Sequence, residues 1–277
     1  MTSDAPAVPR ANTAERRLGD RVTDYATQVF AVAVAEVQKL RHDPVELATR
    51  AVQPVLWLLL FGGVMARVRG IATGDLRYLD FLSAGILAQS VLFVAIFYGI
   101  SAIWERDLGV LQRYLVSPAP RSALIIGKSL AAGVRALSQA GVVYVLAAAL
   151  GVALRLDPPA ILGVVLLIAL GSGLFSTLSL IIACIVKTRE RFMGIGQVLT
   201  MPIFFASNAI YPLELMPSWL HAVSRANPLT YEVDGLRALM LHGGASVFGL
   251  VPDFAVLLGG WAVLVAIAAR LYPRMAA

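Results

Sequence analysis

Residues 80–103 read DFLSAGILAQSVLFVAIFYGISAI. After Asp80 no charged side chain interrupts this run. A helix needs roughly 20 apolar residues to cross a bilayer core, so the stretch is predicted to span a membrane. Comparable runs recur on both sides of it, at 46–66, 124–154, 160–186, 192–210 and 253–270. The composition agrees. Of 277 residues, 58% are hydrophobic and 14% charged, with a mean hydropathy of +0.77, whereas a soluble domain is about a quarter charged. One soluble core cannot hide that much apolar surface. The expected fold is an all-α membrane protein with six transmembrane helices, occupying residues 44–270.

The net charge of +6 sits on a chain too apolar for nucleic-acid binding. It fits anionic lipid headgroups and topology signals instead. Residues 1–20 are polar and lack an apolar core, which predicts a disordered tail and no cleavable signal peptide. The basic residues orient the chain. Seven lie in the N-terminal region, four in 104–128, three in 187–191 and two at the C-terminus. Only Arg67, Arg69, Arg77, Arg155, Arg225 and Arg237 fall on the other side, and Arg135 lies within the third span. The positive-inside rule then places both termini, including the tail 271–277, in the cytoplasm. The arginine bias, with abundant Ala, Val and Gly, suggests a high-GC bacterial genome, and the expected location is a bacterial inner membrane.

Residues 21–43 carry Val22, Tyr25, Val29, Phe30, Ala33, Val37 and Leu40 at helical spacing, with charges on the flanks. This predicts an amphipathic helix lying on the membrane surface. A second amphipathic helix is predicted in the connection Trp104–Lys128, where Leu108, Leu111, Leu115 and Val116 recur at helical spacing. Glu105 and Asp107 would open it, and Pro118 and Pro120 would close it. The connection Tyr211–Pro252 is too apolar for a solvated loop. Pro212, Pro217 and Pro228 divide it, and Val233–Leu241 has a helical pattern. Half-helices that enter the membrane and return would account for it.

Catalytic signatures are lacking. Gly127-Lys128-Ser129 resembles the end of a phosphate loop, but Ser122 stands where a glycine is required and bulky residues intervene. Lys128 is better read as reaching the interface from the start of span three. His42, His221 and His242 have no ligand-like spacing, and Cys184 is the single cysteine, so no metal site or intrachain disulfide is expected. Acidic residues are expected almost wholly in loops and tails. The intramembrane polar groups are Gln53, Gln89, Gln139, Gln197 and Asn208, suited either to helix-to-helix hydrogen bonds or to substrate contact. Span five also carries Met201, Phe204 and Phe205, with Pro202 breaking the helix. These broad apolar side chains suit amphipathic ligands and equally suit packing.

Two local signatures give the chain a likeness. One is Glu105, Arg106, Gly109, Arg113, Leu115, Ser117, Pro118 and Arg121, followed by Gly127 and Lys128. The other is Tyr211-Pro212 and Met216-Pro217, then Asn227-Pro228-Leu229-Thr230-Tyr231 and Gly235-Leu236-Arg237. From about residue 21 to 270 the chain resembles the membrane subunits of type 2 ABC exporters, among them daunorubicin-type multidrug permeases and polysaccharide permeases. The resemblance implies that 21–43 is a connecting helix. It implies that Glu105, Arg106, Gly109, Arg113, Pro118 and Arg121 belong to a coupling helix docking on a separate ATPase, which would carry the ATP and Mg. It implies that Tyr211, Pro212, Asn227, Pro228 and Tyr231 belong to an external re-entrant lid. Substrate would pass near Gln89, Phe93 and Phe97 of span two and Gln197, Met201, Phe204, Phe205 and Asn208 of span five. Two permeases, identical or related, and two ATPases would form the working unit. Drugs or lipids are the expected cargo, giving a role in efflux and antibiotic resistance. A lipid-linked glycan and a non-transport scaffold are the other readings.

Overall fold

The computed structural model describes residues 52–65, 76–109, 121–186 and 188–272, together with Tyr25, Thr27 and Val34. The expected N-terminal tail, most of the 21–43 helix, the start of span one, Arg113, Pro118 and the last five residues lie outside the described residues.

Every regular element among the described residues is helical. Helix α1 covers Val52–Met65, and its middle, Trp57–Gly62, is wound as a π-helix. Then follow α2 Tyr78–Asp107, α3 Arg121–Ala149, α4 Pro158–Ile185 and α5 Arg189–Phe205. A single 3₁₀ turn, Leu213–Leu215, leads to α6 Ser218–Ala226, α7 Pro228–Met240 and α8 Leu250–Leu271. Helices α2, α3, α4 and α8 are long and apolar enough to cross a membrane. The described part of α1 is shorter, and α5, at 17 residues, opens on Arg189-Glu190-Arg191. We call the end where α2 stops and α3 starts the lower end, and the opposite end the upper.

Helix α4 is the hub, packing against α2, α3, α7 and α8. Its buried stretch Gly171-Ser172-Gly173-Leu174-Phe175-Ser176-Thr177 explains why. Inside a membrane, small residues let helix backbones approach closely and hydroxyls tie them together. Gly173 faces the Trp261 ring of α8, and Gly133 of α3 faces Ser172. Thr177 Oγ1 lies 2.9 Å from Ser129 Oγ of α3 and accepts the Trp261 indole N–H at 3.1 Å. On α2 the Gly99 amide donates to Ser179 Oγ at 3.1 Å, and the Ser179 hydroxyl donates to the Ile96 carbonyl.

Several boundaries differ from those expected, each for a local reason. Helix α2 continues through Glu105 and Asp107 and stops only at Gly109, whose φ of +70° no side chain tolerates easily. The two acids therefore close α2; they do not open a following helix. Helix α3 stops at Ala149, because Gly151 (φ +70°) turns the chain back, with Val152 N–H donating to the Ala147 carbonyl. Helix α5 begins earlier than expected, capped by Thr188 Oγ1, which accepts from Arg191 N–H at 3.4 Å. Pro202 lies inside it and does not end it. The acids also depart from expectation: Asp80, Glu105, Glu232, Asp234 and Asp253 are buried on helices. Ser129 and Lys128 lie inside unbroken α3, so no phosphate loop exists there.

Candidate functional site

Three helix ends meet at the lower end. Glu105, on the last turn of α2, accepts from Lys128 Nζ of α3 at 2.5 Å, and the two side chains are 8% and 1% exposed. Carboxylates at a helix C-terminus oppose the helix dipole, and an apolar interior penalises an unpaired charge. Each residue supplies what the other lacks. Lys128 therefore turns inward to a partner; it does not reach the interface. Asp107 bonds Arg106 at 2.9 Å and Arg189, the first residue of α5, at 2.9 Å. The Arg189 guanidinium also stacks 3.4 Å over the Trp104 ring. Tyr25 donates to Ser122 Oγ at 3.1 Å, joining the N-terminal region to the first turn of α3. Of the expected coupling residues, Glu105 is buried, Arg106 is partly exposed, Arg121 is exposed and Gly109 serves as the stop of α2.

The expected pathway residues do not form one surface. On α5, Phe192, Gly196, Thr200 and Phe204 are buried, with Phe204 edge-on to Trp57 of α1 at 5.7 Å. Gln197, Met201 and Phe205 are exposed. Asn208 is buried in the turn after α5. On α2, Gln89 is buried while Phe93 and Phe97 are half-buried, their rings 6.0 Å apart. The Phe97 ring reaches Gly196 of α5, where it would touch an added Cβ at 3.5 Å. Spans two and five therefore meet at Phe97. Phe93 and Phe97 also line a cleft of about 330 Å³ between α1, α2 and α3, shared with Gln53, Pro54, Ser90, Val94 and Gln139.

At the upper end the expected lid residues fasten α5. A helix leaves its last four carbonyls without helical partners. Here the Pro202 carbonyl accepts from Ala206 N–H and the Phe204 carbonyl from Ser207. Asn227 Nδ2 donates to the Ile203 carbonyl at 2.6 Å, and the Tyr211 hydroxyl donates to the Phe205 carbonyl. Asn227 Oδ1 also caps α7, accepting from Leu229 N–H at 3.0 Å. Pro228 is the first residue of α7, where its missing N–H costs nothing. Tyr231 donates to the Arg225 carbonyl at 2.8 Å, and Pro212 is buried.

Sequence reasoning passed over the residues that hold the turn 206–210. Arg237 of α7, taken as a topology marker, is buried. It donates to the Asn208 carbonyl at 2.9 Å and lies 3.7 Å over the Phe81 ring. Tyr78 donates to the Ile210 carbonyl at 3.1 Å. It also passed over the acids behind the turn. Asp234 Oδ2 accepts from Ser246 Oγ and from the Val247 and Phe248 amides at 2.7–3.0 Å, and Asp253 Oδ2 lies 2.8 Å from the same hydroxyl. Glu232 is fully buried against Gly171 of α4. Arg237 stands in the Gly235-Leu236-Arg237 signature, the one sequence signal that pointed here. Nearby, Leu154 and Leu241 form an antiparallel bridge. The Arg155 guanidinium, bonded to Asp157 at 2.6 Å, holds that carboxyl below the usual carboxylate range.

A bundle of long apolar helices, joined by ion pairs at its lower end and fastened at its upper end, is the architecture of a multi-pass membrane protein. Residues 27–241 match the family described as ABC-2 type transporter. The chain belongs to the ABC-2 type transporter family, whose membrane subunits are transport components and not themselves catalytic. It is 29% identical over 220 residues to a protein of Cyanophora paradoxa named as a transport permease, ycf38, covering 79% of this chain and 76% of the relative. It is 25% identical over 232 residues to the daunorubicin resistance ABC transporter permease protein DrrB1 of Streptomyces coeruleorubidus, covering 84% and 81%. It is 26% identical over 214 residues to nodulation protein J of Rhizobium leguminosarum bv. trifolii, covering 73% and 80%. Membership implies a multi-pass membrane location and association with an ABC ATPase subunit.

Proposed function

We propose that this chain is the permease of an ATP-driven exporter moving hydrophobic or amphipathic compounds, drugs or lipids, out of a bacterial cell. In this reading α1 and α5 complete six crossings, the lower end and both termini face the cytoplasm, and α6 and α7 form an external re-entrant lid. Two ATPase subunits bind ATP and Mg, and this chain pairs with a second permease, itself or a related one. The observation that carries the proposal is the joining of α2, α3 and α5 at the lower end through Glu105–Lys128 and Asp107–Arg189. A push on the segment that follows Gly109 reaches three helices at once. Closure of the ATPases on ATP supplies the push, since only a ligand that binds two states differently can shift them. The turn 206–210, gripped by α2 and α7, carries the movement to the lid. The similarity to a daunorubicin resistance permease supports drug-like cargo, and a cleft of about 330 Å³ suits a small amphipath better than a glycan.

Co-expression with an ABC ATPase encoded beside it tests the reading. Inverted membrane vesicles should accumulate an amphipathic dye with ATP and not without it, and an ATPase blocked in hydrolysis should abolish uptake. No co-purifying ATPase and no ATP-dependent uptake would leave the scaffold reading. Uptake of lipid-linked glycan alone would leave the glycan reading. Glu105→Leu with Lys128→Met, which removes the pair without leaving a lone buried charge, should uncouple ATP hydrolysis from uptake; if both transport and ATPase association survive it, the coupling role of Glu105 is wrong.

A further inference from the structure

The segment between α7 and α8 is tied down by two acids and a serine. Asp234 of α7 and Asp253 of α8 are both fully buried, and each sets its Oδ2 2.8 Å from Ser246 Oγ. Two oxygen-to-oxygen contacts of that length are two hydrogen bonds, and each holds a proton. The serine hydroxyl carries only one. Its oxygen also accepts the Gly249 amide at 2.7 Å. The second proton therefore sits on a carboxyl. Asp234 Oδ2 is the poorer place for it, because it already accepts the Val247 and Phe248 amides at 2.7 and 3.0 Å, and amide donors bond best to a charged oxygen. Among the described residues, Asp253 Oδ2 has the serine alone as partner. We propose that Asp253 holds this proton and donates it to Ser246 Oγ, and that the trio is a proton-held clasp joining α7, α8 and the segment between them, which opens when the proton leaves.

The surroundings favour a neutral acid at this place. Gly235 of α7 lets the carboxyl approach, since an added Cβ would lie 3.4 Å from Asp253 Oδ2. With both acids ionised, two like charges would contest one hydroxyl inside the protein, and one of such a pair is driven to its neutral form. The start of α8 attracts negative charge, but only with about half a unit charge. The other titratable groups on the packed elements do not relieve the clash. On α7, Glu232 faces Gly171 of α4 and Arg237 donates to the Asn208 carbonyl. His242 is exposed. Helix α4 brings Cys184 at its far end, and Asp157, just before its start, is paired with Arg155. Helix α3 brings Arg121, Lys128, Arg135 and Tyr144, and α8 itself brings Arg270 at its far end. No cation among the described residues forms an ion pair with Asp253. Once the proton is lost, Asp234 keeps the amides of Val247 and Phe248, and the first turn of α8 is pushed away. Ser246 is half-buried and Val247 exposed, so water reaches the rim. The closed form holds a proton that the open form releases. Closure is therefore favoured in acid and lost as pH rises, by up to about tenfold per pH unit.

That the clasp faces outward and reads external pH rests on the exporter reading; the clasp itself needs neither that orientation nor an ATPase. The test uses the full chain in lipid nanodiscs, where both faces meet the same pH. Amide hydrogen exchange of residues 244–250 is followed at about pH 6 and about pH 9, each rate divided by the intrinsic rate at that pH. In the wild-type chain this segment should lose protection at least about tenfold between the two, while α2 and α4 do not change. Asp253→Asn puts an amide donor where the acid O–H stands, so the segment should stay protected at both pH values. Asp234→Asn weakens an oxygen that serves three donors, and should leave the segment less protected at pH 6 than Asp253→Asn does. Infrared difference spectra between the two pH values should contain a protonated-carboxyl carbonyl band that is missing from Asp253→Asn. Wild-type protection that does not change with pH overturns the proposal, and that arm stands even where a variant fails to fold. A pH response that persists in Asp253→Asn, or the reverse order of the two variants, overturns it as well. Loss of ATP-dependent transport with this pH response intact would instead count against the exporter reading.

Discussion

At the scale of single residues, the close approaches explain which small side chains are fixed. A Cβ added at Gly85 would sit 2.1 Å from the Ala209 carbonyl oxygen. The obstacle is backbone, and the turn it belongs to is gripped by Arg237 and Tyr78, so it cannot yield. Gly85→Ala should therefore destabilise by about 1–3 kcal/mol. Gly141→Ala, on a helix position with nothing within 4 Å, should stabilise by about 0.5–1 kcal/mol. Thermal unfolding in detergent, comparing the two variants with wild type, checks both signs. Ser246 has one proton and two carboxylates in reach, Asp234 and Asp253, while also accepting the Gly249 amide at 2.7 Å. Ser246→Ala removes partners from several groups at once, and a buried polar atom left unpaired costs about 1–3 kcal/mol. The segment before α8 should then be cut faster in limited proteolysis, with α4 and α2 unaffected. None of these contacts could be read from the sequence. Gly85 and Ala209 are distant in the chain, and neither the serine nor the acids stand in a recognisable motif.

At the scale of elements, the Glu105–Lys128 pair is the clearest lever on α2 and α3. Glu105→Gln or Lys128→Met alone takes one member from a buried ion pair and should cost about 3–5 kcal/mol, whereas Glu105→Leu with Lys128→Met should fold close to wild type. The monodisperse yield in size-exclusion chromatography measures the difference. A double variant that folds as poorly as either single one would contradict the pairing. The loop between α3 and α4 offers a pH test. Asp157, exposed beside Arg155, titrates below an ordinary carboxylate. A carboxyl whose pKa is depressed by folding adds stability above its unfolded pKa and loses it as pH falls through the folded value. The melting-temperature gap between wild type and Asp157→Asn should stay constant from pH 8 to pH 5 and close below about pH 4. The long apolar helices α2, α3, α4 and α8 were legible in the sequence, because twenty apolar residues in a row have few other uses. Their ends were less so. Gly109 and Gly151 set them through backbone conformation, and an apolar count is blind to that.

At the scale of the whole molecule, the side of each end was legible only as charge asymmetry. Arg237 qualifies even that, since it is buried among helices and reports packing. Because Cys184 is the sole cysteine, Cys184→Ala gives a background for single-cysteine mapping. An impermeant maleimide should label Ala222→Cys on intact cells and label Arg121→Cys only after permeabilisation; the reverse pattern would invert the proposed orientation. The candidate site was partly legible: Asn227, Tyr211 and Phe97 sit at junctions, while Gln197 and Phe204 proved to lie on different faces of α5. Residue type marks which side chains are able to act, and only the packing of helices far apart in sequence decides which ones meet. The Glu105–Lys128 pair carries a last consequence, for how the protein is made. Helices α2 and α3 each bring one member of a buried ion pair, and only 23 residues separate the two. Released singly during synthesis, each helix would bring an unneutralised charge to the edge of the membrane. Early pairing of α2 and α3 at this base, as one hairpin, would spare both that exposure.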